Sequence, residues 1–206
     1  MIYTVFDIET TGLSKYECGI VQFAYIRLNN NLTPVKCGAF YLYPPENKFR
    51  WDADAEKVHR LSREFLKENA IDYDVGMAQI YALLQYSNVI TYNGNTFDIP
   101  FTSNVLQKSG LIPLQCIGFN DVMLMCKERF GRKPKLVDVP AILGLNPAVM
   151  QTLCNAYFKG VNVRPHDASY DTTVTYMAYR KLLDMGRIKP QQQQESSISY
   201  SSTQTF

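Results

Sequence analysis

The chain has 206 residues, is 46% hydrophobic and 19% charged, and carries a formal net charge of +2. That composition suits one domain with a substantial core; it argues against a membrane protein, a wholly disordered chain and a strongly basic nucleic-acid coat protein. Five cysteines without a C-x-x-C pair, and two histidines, argue against a secreted disulfide scaffold or a zinc site and for reduced thiols in a cytoplasmic protein.

The first residues, MIYTVFDIETTGL, lack a basic n-region and reach an Asp by position 7, so they do not read as a signal peptide. Segments 2–8, 19–28 and 35–43 are β-rich and read as an antiparallel meander, punctuated by Asn29–Asn31 and Pro34 and closed by Pro44 and Pro45. Residues 53–69 and 73–87 read as helices, with Val58, Leu61, Phe65 and Leu66 spaced for one face. A short apolar run at 88–92 suits a buried strand. A helix is expected over 98–109, with Pro100 in its first turn. A weak strand at 114–119 precedes helices at 121–130, 135–144, 147–158 and 167–186. The pattern predicts an α/β domain over residues 1–187. Its expected sheet is mixed and five-stranded, three antiparallel strands then parallel ones, flanked by helices. From Lys189 the chain turns rich in Gln and Ser, so residues 188–206 read as a flexible tail.

Four carboxylates stand out by placement. Asp7 and Glu9 lie two apart at the end of the first strand, on one face by period-two geometry. Asp98 begins a helix just after Tyr92–Thr96, and Asp171 sits in the last helix, five residues after His166. Each alone has an ordinary explanation: a solvated strand end, an N-cap, a surface histidine. Together, three junctions of one α/β sheet would bring four acids to one place. Clustered carboxylates repel, and such an oxygen-rich cluster suits Mg²⁺ or Mn²⁺. Two such ions, about 3.5–4 Å apart, can serve a phosphodiester displacement.

FDIETTGL (6–13), YNGNTFDIPF (92–101) and HDASYD (166–171) resemble, in order, the three motifs of the DnaQ-like, DEDDh family of 3′→5′ exonucleases. The resemblance spans about residues 1–185. It implies an RNase H-like fold, with Asp7, Glu9, Asp98 and Asp171 as ligands of two Mg²⁺ or Mn²⁺ ions and Asp7 bridging them. It implies His166 as the general base, a task suited to an imidazole, whose ordinary pKa is about 6.5. Asp167 stands where the tyrosine variant of the family would need Tyr, which favours the histidine subclass. The second motif departs from Asn-x-x-Phe-Asp by one extra residue after Asn93 and resembles that of proofreading domains in family B polymerases.

The resemblance further implies substrate contacts. Thr10, Thr11 and Gly12 would face the terminal nucleotide, Leu13 would wedge against its base, and His59 would lie near the strand. Phe97 could stack on or beside a base, a contact worth about 1–3 kcal/mol. Core packing for Leu13 and Phe97, and a helix-surface position for His59, are the structural alternatives. Asp121 reads as the cap of the following helix. Lys127, Arg129, Arg132, Lys133 and Lys135 form the densest basic stretch, a solvated face or a phosphate contact.

The expected activity is metal-dependent release of nucleoside 5′-monophosphates from the 3′ end of single-stranded nucleic acid, with DNA favoured. An exoribonuclease of the same family, or a non-catalytic nucleic-acid-binding module on this fold, are the alternatives. The expected partners are DNA or RNA 3′ ends, with a polymerase or clamp in trans for any proofreading role. Gln194, Ile198 and Tyr200 loosely resemble a clamp-binding peptide of different spacing. No membrane association is expected.

Overall fold

The computed structural model describes residues 2–159 and 164–186. The meander forms as expected: β1 (Tyr3–Thr10), β2 (Ile20–Leu28) and β3 (Pro34–Leu42) pair antiparallel. The chain continues through α1 (Ala53–His59), α2 (Arg63–Asn69), β4 (Ala70–Ile71) and α3 (Tyr73–Leu84). Then come β5 (Asn88–Thr91), α4 (Asp98–Lys108), β6 (Gly118–Asp121) and α5 (Val122–Phe130). A 3₁₀ turn at Leu136–Asp138 leads to α6 (Val139–Leu143), α7 (Pro147–Tyr157) and α8 (Ala168–Asp184). The expected tail, 188–206, lies outside the described residues. Among the described residues, no helix is long and apolar enough to cross a membrane.

The sheet is mixed and α/β as predicted, but it has six strands, in the order β4-β3-β2-β1-β5-β6. β5 and β6 run parallel to β1 and to each other. The additional strand, β4, pairs only Ala70 and Ile71 with Tyr41 and Leu42. Two residues between helices carry no readable period, so the sequence pattern does not show it. The last strand sits at 118–121 rather than 114–119, because its ladder to β5 runs from Asn88↔Gly118 to Thr91↔Asp121.

The single helix expected over 53–69 is two. Arg60 takes a left-handed conformation (φ 60°) and its N–H closes α1 on Glu56 O. Ser62 then caps α2, accepting the Phe65 N–H at 3.1 Å. The break splits the expected apolar face. Leu61 and Leu66 are buried, whereas Val58 and Phe65 are exposed.

Two apolar layers cover the sheet. On one face Val5, Ala24, Ile26 and Ile90 pack beneath α8, through Ala178, Tyr179 and Leu182. On the other, Phe6, Ile8, Phe23 and Leu42 pack against α3 and α4, through Ile80, Leu84, Phe101 and Val105. Alternation along β1 therefore sends Asp7 and Glu9 to the α8 side. Phe101 is fully buried and anchors the helix that begins at Asp98. Phe101→Ala should lower stability by about 3–5 kcal/mol, measured by denaturant unfolding, with unchanged far-ultraviolet dichroism.

Candidate active site

The open end of the sheet collects the acids. Asp7 and Glu9 come from β1, Asp98 from the first turn of α4 and Asp171 from the first turn of α8. One carboxylate oxygen each from Asp7, Glu9 and Asp171 lie within 4.8 Å of one another. Asp98 is outside that triplet, but its charge acts on Asp7 more strongly than that of Asp171 or Glu9. Asp98 and Asp171 are buried.

Burial pushes all four carboxyls up, and their mutual repulsion pushes Asp7 and Glu9 further. Asp98 and Asp171 rise to about 7, chiefly by burial; backbone N–H donors at Ile8 and His166 offset part of the rise. A donor set made only of carboxylate oxygens fits a hard divalent cation, which would supply the charge these groups lack.

Hydrogen bonds hold the acids in place. Gln22, fully buried on β2, donates from Nε2 to Asp167 Oδ1 at 3.1 Å and accepts the Ala168 N–H at 3.1 Å. Asp167 also caps α8 by accepting the Ser169 N–H. This pair fixes the start of α8 against β2, and with it Asp171. The His166 N–H donates to Asp171 Oδ2 at 3.2 Å. His166 sits in the left-handed region (φ 61°) with its ring exposed at the rim, a backbone that a non-glycine residue adopts only under local constraint.

Asp121 does more than cap α5. Besides the Met123 and Leu124 N–H groups, it accepts those of Asn93 and Asn95. The extra residue of the second motif is absorbed here: Asn93 is left-handed (φ 59°) and Thr96 bonds back to its carbonyl and side chain. Asn tolerates that backbone better than most residues. A Cβ on Gly94 would stand 2.1 Å from Thr91 Oγ1, so the turn needs glycine.

A cavity of about 750 Å³ opens beside the acids, lined by Glu9, Thr10, Gly12, Leu13, His59 and Phe97 among others. Leu13 is 83% exposed at its mouth. Phe97 is half-buried against Phe101, ring centroids 5.3 Å apart. Gly12 lies so close to Asp52 that a Cβ would fall 2.2 Å from its Oδ2. The Thr11 hydroxyl donates to Arg50 O and accepts the Gly19 N–H, while the Thr11 N–H bonds Gly19 O. Thr11 is therefore a tie within the loop, and Thr10 Oγ1 donates to Gly12 O.

His59 is not a surface residue: it is 4% exposed. Its Nδ1 accepts the Leu61 N–H at 3.0 Å, and its ring faces the Thr10 backbone. Burial drops its pKa to about 4, so the ring is neutral at pH 7. Sequence reading missed Gln22, the role of Asp167, and Arg164, whose Nη2 donates to His59 O at 2.9 Å and whose charge favours ionised Glu9. Nothing in a linear pattern pairs positions 105 or 145 residues apart.

Residues 4–179 match the family model described as "Exonuclease", RNase T. Over 122 residues, 59% of the chain, it is 29% identical to the PolC-type DNA polymerase III of Ureaplasma parvum. The relative of the same name in Mycoplasma pneumoniae is 27% identical over 112 residues. The chain spans only 8% and 7% of the length of these two proteins. Among solved structures, it superposes on exonuclease I with a TM-score of 0.67, at 20% identity, over 89% of this chain and 41% of that one. The zinc-bound form of the E. coli exonuclease I–single-stranded DNA complex gives a TM-score of 0.68 at 19% identity, over 90% and 41%.

The carboxyl shifts have a consequence for stability. A carboxyl whose pKa is raised by folding binds more protons folded than unfolded, so stability falls as pH rises from its ordinary value to its folded one. For Asp98 and Asp171 that window runs from 3.8 to about 7. The metal-free melting temperature should fall between pH 4.5 and 7.5, Mg²⁺ or Mn²⁺ should restore it at pH 7.5, and Asp7→Asn should flatten the slope. Differential scanning calorimetry in EDTA and in each metal checks all three.

Proposed function

The chain belongs to the RNase T exonuclease family, within the DnaQ-like group and the RNase H-like superfamily, and from that membership we propose that it is a metal-dependent 3′→5′ exonuclease of the histidine subclass. The observation that carries the reading is the oxygen triplet of Asp7, Glu9 and Asp171, with Asp98 acting on Asp7 and Glu9 lining a cavity of nucleotide size. The substrate is the 3′ end of a single strand, DNA before RNA, and the product a nucleoside 5′-monophosphate. The polymerase relatives and the single-stranded DNA complex of exonuclease I support the DNA preference and a polymerase context; a polymerase or clamp bound in trans, and a cytoplasmic location, belong to the same proposal.

In this reading Asp7, Glu9, Asp98 and Asp171 would hold two Mg²⁺ or Mn²⁺ ions. Bound there, the ions supply Lewis-acid stabilisation of charge growing on the phosphate. The chain's own residues do the rest. The cavity takes the terminal nucleoside, with Leu13 at its mouth and Phe97 beside the base. Neutral His59 supports the Thr10 backbone beneath the sugar. The exposed His166 ring takes the proton of the attacking water at an imidazole nitrogen, and its main chain is held on Asp171 by the N–H.

Release of labelled mononucleotide from 3′-labelled DNA and RNA oligonucleotides in Mg²⁺ tests the reading. The DNA should be shortened stepwise and faster than the RNA, and a circular single strand should remain uncut. Asp7→Asn should abolish nearly all cleavage with its fold intact. His166→Ala should lower kcat by roughly 10²–10⁴ while keeping the metal-induced rise in melting temperature. Full activity of Asp7→Asn, or of the parent in excess EDTA, overturns the assignment.

A further inference from the structure

The two flanks of the acid cluster differ in charge. On the α1 side, residues 50–56 hold Arg50 against Asp52, Asp54 and Glu56. Arg50 is already occupied, at 2.5 Å from Glu17 and 2.9 Å from Asp52. That flank borders the cavity, and within residues 50–56 its one cation is taken up by carboxylates. On the β5 side, residues 127–138 hold five cations, Lys127, Arg129, Arg132, Lys133 and Lys135, against Glu128 and Asp138. Among the described residues none of the five forms an ion pair, and Arg132, Lys133 and Lys135 are exposed.

This cationic turn is fixed in place beside the site. Gly131, left-handed at φ 73°, closes α5 on Lys127 O. The Tyr92 hydroxyl donates to Pro134 O at 2.6 Å. Tyr92 follows β5 directly and opens the loop that delivers Asp98. Asp121 ties the other end of α5 to the same loop, through the Asn93 and Asn95 N–H groups. Tyr92, Phe130 and Leu136 pack onto the apolar layer under α8, the side of the sheet on which Asp7 and Glu9 lie. The cationic turn is therefore tied to the loop that delivers Asp98, while the cavity is lined from the end of β1 and from α1. Unpaired cations on a braced turn cost a polyanion little reorganisation on binding.

We propose that Arg132, Lys133 and Lys135, with Lys127 and Arg129 behind them, form the track for the phosphates on the 5′ side of the scissile bond, so that a single-stranded polynucleotide reaches the acids across the Tyr92–Phe97 loop. The inference rests on the exonuclease reading and adds the direction of the strand. Its energetics are those of counterion release, which scale with the number of phosphates contacted and not with base identity.

The test is the triple variant Arg132→Ala/Lys133→Ala/Lys135→Ala in the full chain, on two substrates. A dinucleotide has no phosphate beyond the scissile one, and its hydrolysis should match the parent. On a dT₁₅ oligonucleotide kcat should hold while KM rises roughly ten- to hundredfold at low salt. The slope of log KM against log salt should shrink by about 2, from ~0.7 per neutralised contact on single strands. An unchanged KM and slope on dT₁₅ overturns the track, and so does an equal loss on both substrates. If the parent cleaves neither substrate, the exonuclease reading fails on its own. Fluorescence anisotropy of labelled dT₁₅ in EDTA then decides the track: weaker, less salt-dependent binding by the variant supports it, and equal binding refutes it.

Discussion

Four carboxylates forced into one buried corner are the constraint on which the rest of this fold depends. Left ionised and uncompensated they repel, and burial raises the cost of each charge. A protein free to optimise stability alone would spread them or replace one with an amide. Here the surrounding architecture holds them together. β1 presents two from one face, and two helices aim their first turns at the same point. Burial lifts Asp98 and Asp171 to about 7, and the charges of their neighbours push Asp7 and Glu9 up beyond what burial does, a cost that a divalent cation held there would relieve.

The supports are polar, specific and mostly buried. Gln22 and Asp167 lock α8 to β2. Asp121 gathers four backbone N–H groups from α5 and the second-motif loop. Thr11 stitches the loop after β1 to Gly19 and Arg50, and His59 braces Thr10 from below as a neutral ring. Removing one member of such a network leaves its partner buried and unsatisfied, at about 1–3 kcal/mol. Two of the groups that line the cavity, Leu13 and Phe97, are apolar and need no such ties.

Much of this was legible in the sequence, for identifiable reasons. The three strands of the meander alternate cleanly and end at Asn or Pro. The four acids fall at strand ends and helix starts of one sheet, each with an ordinary explanation alone, so it was their combination that pointed to one corner, where oxygens of Asp7, Glu9 and Asp171 do meet. What was not legible depends on contacts far apart in the chain. Leu61 and Leu66 looked like part of one helical stripe with Val58 and Phe65, but Arg60 turns left-handed and divides it. β4 is two residues long and exists only because Tyr41 and Leu42 offer a free edge. The helix-surface alternative for His59 fails because the ring is buried against the Thr10 backbone, a contact that nothing near it in sequence predicts. Asn93 seemed one residue out of place, and the left-handed turn to Thr96 absorbs that residue.

The central claim is that the corner formed by Asp7, Glu9, Asp98 and Asp171 is a divalent-metal site beside a nucleotide cavity. The most direct measurement is anomalous diffraction from crystals grown with Mn²⁺ and a nucleoside 5′-monophosphate. The account predicts two manganese peaks, both contacting Asp7, with the phosphate of the nucleotide against them and its base between Leu13 and Phe97. Crystals at full Mn²⁺ occupancy elsewhere, with no peak at Asp7 and the nucleotide bound away from the cavity, would contradict it.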